Sequence, residues 1–189
     1  MKASDLPNII SILRIGFVVP VILCVLEGFY GWALVLFLIA GASDGLDGFL
    51  ARRFGWTSRL GAILDPIGDK LLMVAVFLVL VSKGYLPWWL VSVVILRDVI
   101  IITGAVSYHT LIEQFDMQPL FISKLNTVLQ ILLVLAVLYG LTAIAPVMPA
   151  FVNELLIYAV FITTLASGIA YVVGWGRRAR KAVNRREST

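Results

Sequence analysis

The sequence has little charge, a single cysteine and a single histidine. Charged residues make up 14% of the 189 residues and hydrophobic residues 61%, whereas soluble domains are roughly half apolar. The mean hydropathy of +1.01 therefore excludes an ordinary soluble domain. Cys24 has no second cysteine to pair with and no histidine nearby in the sequence, so neither a disulfide nor a cysteine-based metal site is expected.

The chain also lacks repeats, low-complexity tracts and Ser/Gly-rich linkers, so we expect one domain over residues 1–189. Six apolar runs are each about as long as the ~20 residues that cross a hydrocarbon core. They lie at 8–28, 30–54, 58–82, 86–107, 121–141 and 150–174. We predict an all-α integral membrane protein with six transmembrane helices and a short N-terminal amphipathic segment near Pro7 and Asn8. Asp5 and Arg14 argue against a cleavable signal peptide in the first run.

The distribution of Lys and Arg predicts the orientation of these helices, because short cytoplasmic loops collect basic residues. With the N-terminus inside, the outer loops hold only Lys83, whereas the C-terminal segment alone holds six basic residues after position 176. Both termini should therefore be cytoplasmic. The net charge of +4 then reflects this bias and an attraction to anionic lipid, and we expect no nucleic-acid partner.

Four aspartates interrupt the second and third apolar runs. Asp44 and Asp47 are three residues apart, and Asp65 and Asp69 are four apart, so each pair occupies one face of a helix. The uncharged parts of these runs are too short to cross the core alone, which places the aspartates in or at the inner part of the bilayer. Exposure of four such residues to lipid would cost on the order of 10 kcal/mol, so they must face the protein or a cavity.

Carboxylates that lie close together repel one another unless protons or cations neutralise them. Their oxygens suit Mg²⁺ or Mn²⁺, and a pair of such ions can grip a phosphate and activate an oxygen nucleophile. Gly48 and Gly61 leave room for a bulky ligand, and Arg52 is one turn beyond Gly48, where it can contact a phosphate. Two alternatives remain at this point: simple pairing of the aspartates with neighbouring bases, and a cation or proton transporter.

The spacing of the whole segment resembles the signature of the CDP-alcohol phosphotransferase family. The match consists of eight residues spread over two predicted helices, without a departure from the signature. They are Asp44, Asp47, Gly48, Ala51, Arg52, Gly61, Asp65 and Asp69. The six-helix pattern extends the resemblance over nearly the whole chain.

The resemblance implies a helical membrane enzyme that uses CDP-diacylglycerol, transfers its phosphatidyl group to an alcohol and releases CMP. It implies two divalent ions, Mg²⁺ or Mn²⁺, with Asp44, Asp47 and Asp65 as ligands. Asp69 is then both a ligand near the second ion and the general base. The same resemblance assigns nucleotide binding to Gly48, Ala51, Arg52 and Gly61, and it suggests a homodimer.

The acceptor alcohol is predicted from the segments "LPNIISILRI", "LRDVII" and "FISKLNT". These resemble the branch of the family that makes phosphatidylglycerophosphate and cardiolipin, and the last two favour phosphatidylglycerol as acceptor, with glycerol 3-phosphate as the alternative. Lys124, Arg97 and Arg14 are the candidate acceptor contacts. For Arg97, a buried ion pair with Asp98 is the competing interpretation, and for Lys124, an interfacial lysine. We expect a bacterial plasma membrane, or alternatively a mitochondrial inner membrane, with a cytoplasmic active site.

Overall fold

A computed structural model describes the backbone of residues 6–54, 59–111, 121–142 and 150–187. Side chains are described for residues 15–43, 70–104, 121–142 and 151–174. Within these ranges every regular element is an α-helix, as the sequence predicted. The helices are α1 Leu6–Leu26, α2 Tyr30–Phe54, α3 Arg59–Ser82, α4 Trp88–Leu111, α5 Phe121–Gly140 and α6 Ala150–Glu187.

The six helices follow the six predicted apolar runs, and α4 continues to Leu111, past the predicted end at 107. Two further differences lie in the first and the last helix. Helix α1 already begins at Leu6, so Pro7 and Asn8 of the predicted amphipathic segment form its first turn. A proline is tolerated there because the first turn of a helix has unpaired N–H groups in any case. Helix α6 continues past residue 174 to Glu187, so the basic C-terminal segment extends the last helix.

Two helices are long and apolar enough, in the part of the chain with described side chains, to cross a membrane. They are Phe121–Gly140 and Phe151–Gly174, each with a mean hydropathy of 2.0. Shorter apolar segments occur at Ile15–Leu26, Tyr30–Ser43 and Lys70–Ser82. Helices α2 and α3 continue beyond these segments and carry two of the four aspartates each.

The chain divides into two compact units. The first comprises Met1–Pro87 and Val134–Met148, and the second comprises Trp88–Leu133 and Pro149–Thr189. Helix α5 therefore contributes its first part to the second unit and its last part to the first. The two groups of predicted site residues separate accordingly, because the aspartate motif lies in the first unit and Arg97 and Lys124 lie in the second.

In the first unit, α1 packs against both α2 and α3. The buried positions of α1, Val18, Val21 and Val25, follow a helical spacing of three and four residues. Those of α2 include Ala33 and Ala40, which bracket Phe37 and are fully buried. Small residues at these positions let the helix axes approach closely, which is the usual basis of helix association when lipid surrounds the helices.

Helices α1 and α3 end in the same way. Gly28 and Gly84 have φ angles of 82° and 77°, which side chains other than that of glycine rarely permit. In each case the next residue donates its N–H to a carbonyl five residues back, at 2.8 Å for Phe29 and 2.9 Å for Tyr85. This is the Schellman motif, and it satisfies carbonyls that the helix leaves unpaired.

Hydrogen bonds of polar side chains connect the ends of these two helices. Lys83 Nζ donates to the Leu26 carbonyl at 2.7 Å, and the hydroxyls of Tyr30 and Tyr85 are 2.6 Å apart. The Tyr30 hydrogen bond, together with burial, raises the pKa of Tyr85 above its ordinary value of 10.0. The bond to the Leu26 carbonyl is also electrostatically favourable, since a cation lies at the C-terminal end of a helix.

We expect Phe77→Ala in α3 to destabilise the protein much more than Leu78→Ala. Phe77 is 1% exposed and Leu78 is 50% exposed, so only the first change opens a cavity in the packed unit. Changes of this kind at buried phenylalanine cost about 3–5 kcal/mol. Thermal unfolding in detergent measures the difference, and equal midpoints for the two variants would contradict the packing of α3 described here.

Candidate active site

The aspartate motif occupies two consecutive helices of the first unit. Asp44 and Asp47 lie in α2 and Asp65 and Asp69 lie in α3, and these two helices contact each other. The predicted nucleotide-binding residues divide between the same helices, with Gly48, Ala51 and Arg52 on α2 and Gly61 on α3. The side chains of all eight lie outside the described residues, so the site's inner geometry remains a prediction.

The carboxylate oxygens of this motif are suitable ligands for the divalent metal ions that the family resemblance implies. Four carboxylates at intervals of three and four residues on two contacting helices supply only oxygen ligands, which Mg²⁺ and Mn²⁺ prefer. Among the side chains that the structure describes, no three His, Cys, Asp or Glu residues lie together in a way that would hold a metal. The motif aspartates are the candidate ligands because of their donor atoms and their spacing.

In the second unit, Arg97 of α4 is the centre of a buried polar cluster. Its Nη1 donates to Asp98 Oδ1 at 2.7 Å, and its Nη2 donates to the hydroxyls of Ser123 at 2.6 Å and Ser167 at 2.5 Å. The arginine is 6% exposed and the aspartate 7%. Three helices, α4, α5 and α6, therefore meet at one guanidinium group, whose charge the neighbouring carboxylate compensates.

The sequence allowed two interpretations of Arg97, an acceptor contact or a buried ion pair with Asp98. The structure shows the ion pair. Residues adjacent on a helix do not normally face each other, and here the two serines hold the guanidinium in place beside Asp98. The buried Nε atom has no hydrogen-bond partner within the described part of the protein. Three of the five N–H bonds of the guanidinium are accounted for by Asp98, Ser123 and Ser167.

A second polar contact joins α5 to α6. Asn126 is fully buried, and its Oδ1 accepts hydrogen bonds from Thr163 at 2.8 Å and Thr164 at 2.9 Å. The Thr163 hydroxyl also lies 2.8 Å from the Ala159 carbonyl and 3.2 Å from the Val160 carbonyl, so its single proton is shared among three acceptors. Hydrogen bonds of this kind hold helices together in lipid, where hydrophobic attraction between helices is absent.

Sequence reasoning did not assign Asn126, Thr163, Thr164 or Ser167. The signal for them is nevertheless present: Ser123, Asn126 and Gln130 recur at intervals of three and four on α5, and Thr164 and Ser167 do so on α6. Polar residues at helical spacing within an apolar run predict a polar face directed toward another helix. Which helix takes which residue depends on the tertiary fold.

The remaining acceptor candidates lie on different helices. Lys124 follows Ser123 in the first turn of α5 and is exposed, whereas Arg14 lies on α1 with its side chain outside the described residues. Lys124 is the next residue after Ser123, whose hydroxyl accepts a hydrogen bond from Arg97. The exposed ammonium of Lys124 agrees with either a ligand contact or an interfacial lysine.

The described part of the protein is all-helical and contains long apolar helices. Helices α2 and α3 also carry aspartates at a fixed spacing. These features define the class as a helical membrane protein with an acidic motif. The chain belongs to the CDP-alcohol phosphatidyltransferase family, whose family model matches residues 4–172. This match contains the whole motif, from Asp44 to Asp69, and the Arg97 cluster.

Three relatives show the range of proteins that the chain resembles. It is 34% identical to the chloroplastic CDP-diacylglycerol–glycerol-3-phosphate 3-phosphatidyltransferase 1 of Oryza sativa subsp. japonica, over 88% of this chain and 56% of the relative. Identity is also 34% to a cardiolipin synthase (CMP-forming)/mitochondrial hydrolase fusion protein of Schizosaccharomyces pombe, over 89% and 30%. A CDP-diacylglycerol–glycerol-3-phosphate 3-phosphatidyltransferase of Blochmanniella floridana is 30% identical over 89% of both chains. The chain thus spans about half or less of the first two relatives.

We expect Asp98→Ala to destabilise the second unit strongly, because it leaves the buried charge of Arg97 without its carboxylate. Breaking a buried pair in this way costs about 3–5 kcal/mol. Replacing both residues, as in Arg97→Met with Asp98→Leu, should recover part of that loss. Thermal unfolding in detergent provides the measurement, with Thr103→Val as control because Thr103 is exposed and bonds only to carbonyls of its own helix. An Asp98→Ala midpoint equal to that of the control would show that the pair is unimportant.

Proposed function

We propose that the protein is a metal-dependent phosphatidyltransferase that moves the phosphatidyl group of CDP-diacylglycerol to a glycerol-based alcohol and releases CMP. The observation that carries the proposal is the complete eight-residue motif on two contacting helices, inside the segment that matches the family. A cation or proton transporter would also need intramembrane acids, but it would not require the glycines and Arg52 at these spacings.

Each motif residue has a chemical role in this proposal. Asp44, Asp47, Asp65 and Asp69 would hold two divalent ions, which when bound supply positive charge against the developing charge on the donor pyrophosphate. Asp69 would also accept the proton of the acceptor hydroxyl. Gly48, Ala51 and Gly61 would leave space for the nucleotide, and Arg52 would contact its phosphate.

Phosphatidylglycerol is the acceptor that we propose, so that the product is cardiolipin. Among the described side chains of the second unit only Arg97 and Lys124 are basic, and Asp98 compensates the charge of Arg97. A phosphomonoester brings about −1.5 to −2 charge and normally requires several cations. A lipid phosphodiester carries one negative charge, which Lys124, the single exposed cation among these described side chains, matches better. Arg97 and Arg14 are the other candidate contacts of the acceptor.

Glycerol 3-phosphate is the second candidate acceptor. The relatives from Oryza sativa and Blochmanniella floridana are named for it, and the second of these aligns over 89% of both chains. The relative from Schizosaccharomyces pombe is named as a cardiolipin synthase fusion protein. The names alone therefore support both acceptors. The preference for phosphatidylglycerol rests on the resemblance of "LRDVII" and "FISKLNT" to cardiolipin synthases together with the charge comparison, since charge alone does not decide between the two acceptors.

The remaining parts of the proposal concern the arrangement in the membrane. We propose that all six helices cross the bilayer, that residues 1–189 form a single domain, and that both termini and the active site face the cytoplasm. A bacterial plasma membrane suits this arrangement, with the mitochondrial inner membrane as the alternative. The family resemblance supports a homodimer.

Asp65→Asn should abolish CMP release while leaving the protein folded in detergent. The change keeps the side-chain shape but removes the charge that a divalent ion requires, and since even outer-shell partners of metals contribute 10–100-fold, we expect a loss greater than about 100-fold. Mn²⁺ should also stabilise the wild type, but not the variant, against heat. Glu154→Gln, at an exposed acid of α6, is the control. Full activity of Asp65→Asn would remove this residue from the metal site.

The acceptor is tested by incubating the purified protein with CDP-diacylglycerol, Mg²⁺ or Mn²⁺ and one acceptor at a time. We expect faster CMP release with phosphatidylglycerol than with glycerol 3-phosphate, and cardiolipin as the lipid product. Rapid release with glycerol 3-phosphate and none with phosphatidylglycerol would contradict the acceptor but not the transfer chemistry. No release with any polyol acceptor would favour a transporter.

A further inference from the structure

The C-terminal end of the last helix carries the net positive charge of the whole protein. Residues 175–187 hold six of the 15 Lys and Arg residues and one of the 11 Asp and Glu residues, which gives this segment a formal charge of +5. Residues 1–174 hold the other nine bases and ten acids, so their formal charge is −1. A local charge of this size attracts a negatively charged partner.

The backbone of this segment continues α6 without a break. Helix α6 runs from Ala150 to Glu187, and its apolar part, Phe151–Gly174, is a candidate membrane span. The sequence after Gly174 contains no proline that would interrupt the helix. Because a helix rises by a constant amount per residue, each base lies at a fixed distance along the axis from the end of the span.

Four bases follow the span closely, and we call them the proximal bases. They are Arg177, Arg178, Arg180 and Lys181. All four lie within about 10 Å of Gly174 along the helix axis. At 3.6 residues per turn their positions fall in an arc of about 160°, and the positions of Trp175 and Ala179 lie on the opposite side of the helix. A bilayer has about 5–8 Å of polar headgroup on each side of its core, so the proximal bases follow at the level of the lipid phosphates.

An anionic lipid headgroup suits this position better than a soluble anionic partner. Lipid headgroups surround a helix wherever it leaves the bilayer, so no partner has to be recruited from solution. Trp175 lies between the span and the proximal bases, and tryptophan is typical of the interface between membrane and water. Attraction between bases and anionic lipid falls off within a Debye length of about 8 Å, so it acts on bases near the span and weakly on distant ones.

We propose that the proximal bases form a binding surface for anionic lipid headgroups at the end of the membrane span of α6. This surface goes beyond the proposed transfer reaction, because it requires neither the aspartate motif nor CDP-diacylglycerol. It rests only on the proposed crossing of the membrane by α6. It also differs from the general bias of basic residues toward the cytoplasm, since a base anywhere in the segment would satisfy that bias.

The helix offers a matched control, because two adjacent arginines occur on it twice. Arg177 and Arg178 are proximal bases, whereas Arg185 and Arg186 lie eight residues, or about 12 Å, farther along the axis. This separation exceeds the Debye length. The proximal variant, Arg177→Gln with Arg178→Gln, and the distal variant, Arg185→Gln with Arg186→Gln, therefore remove the same charge at different distances from the span.

The measurement is the lipid that the full-length protein retains from detergent micelles with equal amounts of dioleoyl phosphatidylserine and dioleoyl phosphatidylcholine. Phosphatidylserine is anionic but lacks the glycerol alcohol of the acceptor, so it reports on this surface and not on the acceptor site. We expect the wild type to retain an excess of phosphatidylserine that disappears in about 1 M salt. The proximal variant should lower the ratio of phosphatidylserine to phosphatidylcholine about fivefold or more, because each base near an anionic lipid surface contributes about that factor. The distal variant should keep a ratio close to that of the wild type.

A charge-keeping variant, Arg177→Lys with Arg178→Lys, should retain the wild-type ratio. A loss as large as that of the proximal variant would overturn the proposal. Equal losses in the proximal and distal variants would show that the charge acts without a fixed distance from the span, and they would also overturn it.

Two results with the wild type would overturn the proposal as well. One is an equal retention of the two lipids. The other is salt-sensitive binding of single-stranded RNA without a lipid preference, which would assign the surface to nucleic acid. CMP release without a preference for phosphatidylserine would contradict only this proposal, whereas the preference without CMP release would contradict only the proposed function.

Discussion

The constraint on which the described structure depends is that a charge among apolar helices must be compensated where it lies. Arg97 meets this constraint with three partners from three helices: the Asp98 carboxylate on α4, Ser123 on α5 and Ser167 on α6. An unpaired buried charge is costly, so loss of the Asp98 carboxylate would leave the guanidinium uncompensated.

The four motif aspartates are subject to the same constraint. The sequence around them holds as many bases, Arg52, Arg53, Arg59 and Lys70, but helical spacing sets the two aspartates of each helix on one face, where their like charges repel one another. Divalent ions and a phosphate ligand would complete the balance. The protein thus compensates the charge of Arg97 with its own side chains. In our proposal, bound ions and substrate compensate the charge of the motif aspartates.

Association of the helices uses means suited to an apolar environment. In the first unit, the small side chains of Ala33 and Ala40 and the valines of α1 are buried. In the second, Asn126 bonds to two consecutive threonines, and Trp89 packs edge-on against Phe161 with ring centroids 5.3 Å apart. Close packing and internal hydrogen bonds replace the hydrophobic effect as the source of specificity where lipid is the solvent.

The amino-acid sequence predicts the helical class, the approximate positions of the six helices and the membership in a family of transferases. Apolar runs of this length have few alternatives to helices, and the motif depends on spacing along the chain, which needs no tertiary information. The extension of α6 to Glu187 was not predicted, because a basic segment after an apolar run carries no periodic signal for its end. The pairing of Arg97 with the adjacent Asp98 was one of the two interpretations that the sequence allowed, whereas the serine partners of Arg97 and the contact of Asn126 with Thr163 and Thr164 depend on the tertiary fold. These contacts join residues 26 to 70 positions apart, and a single sequence does not indicate which polar faces of which helices meet.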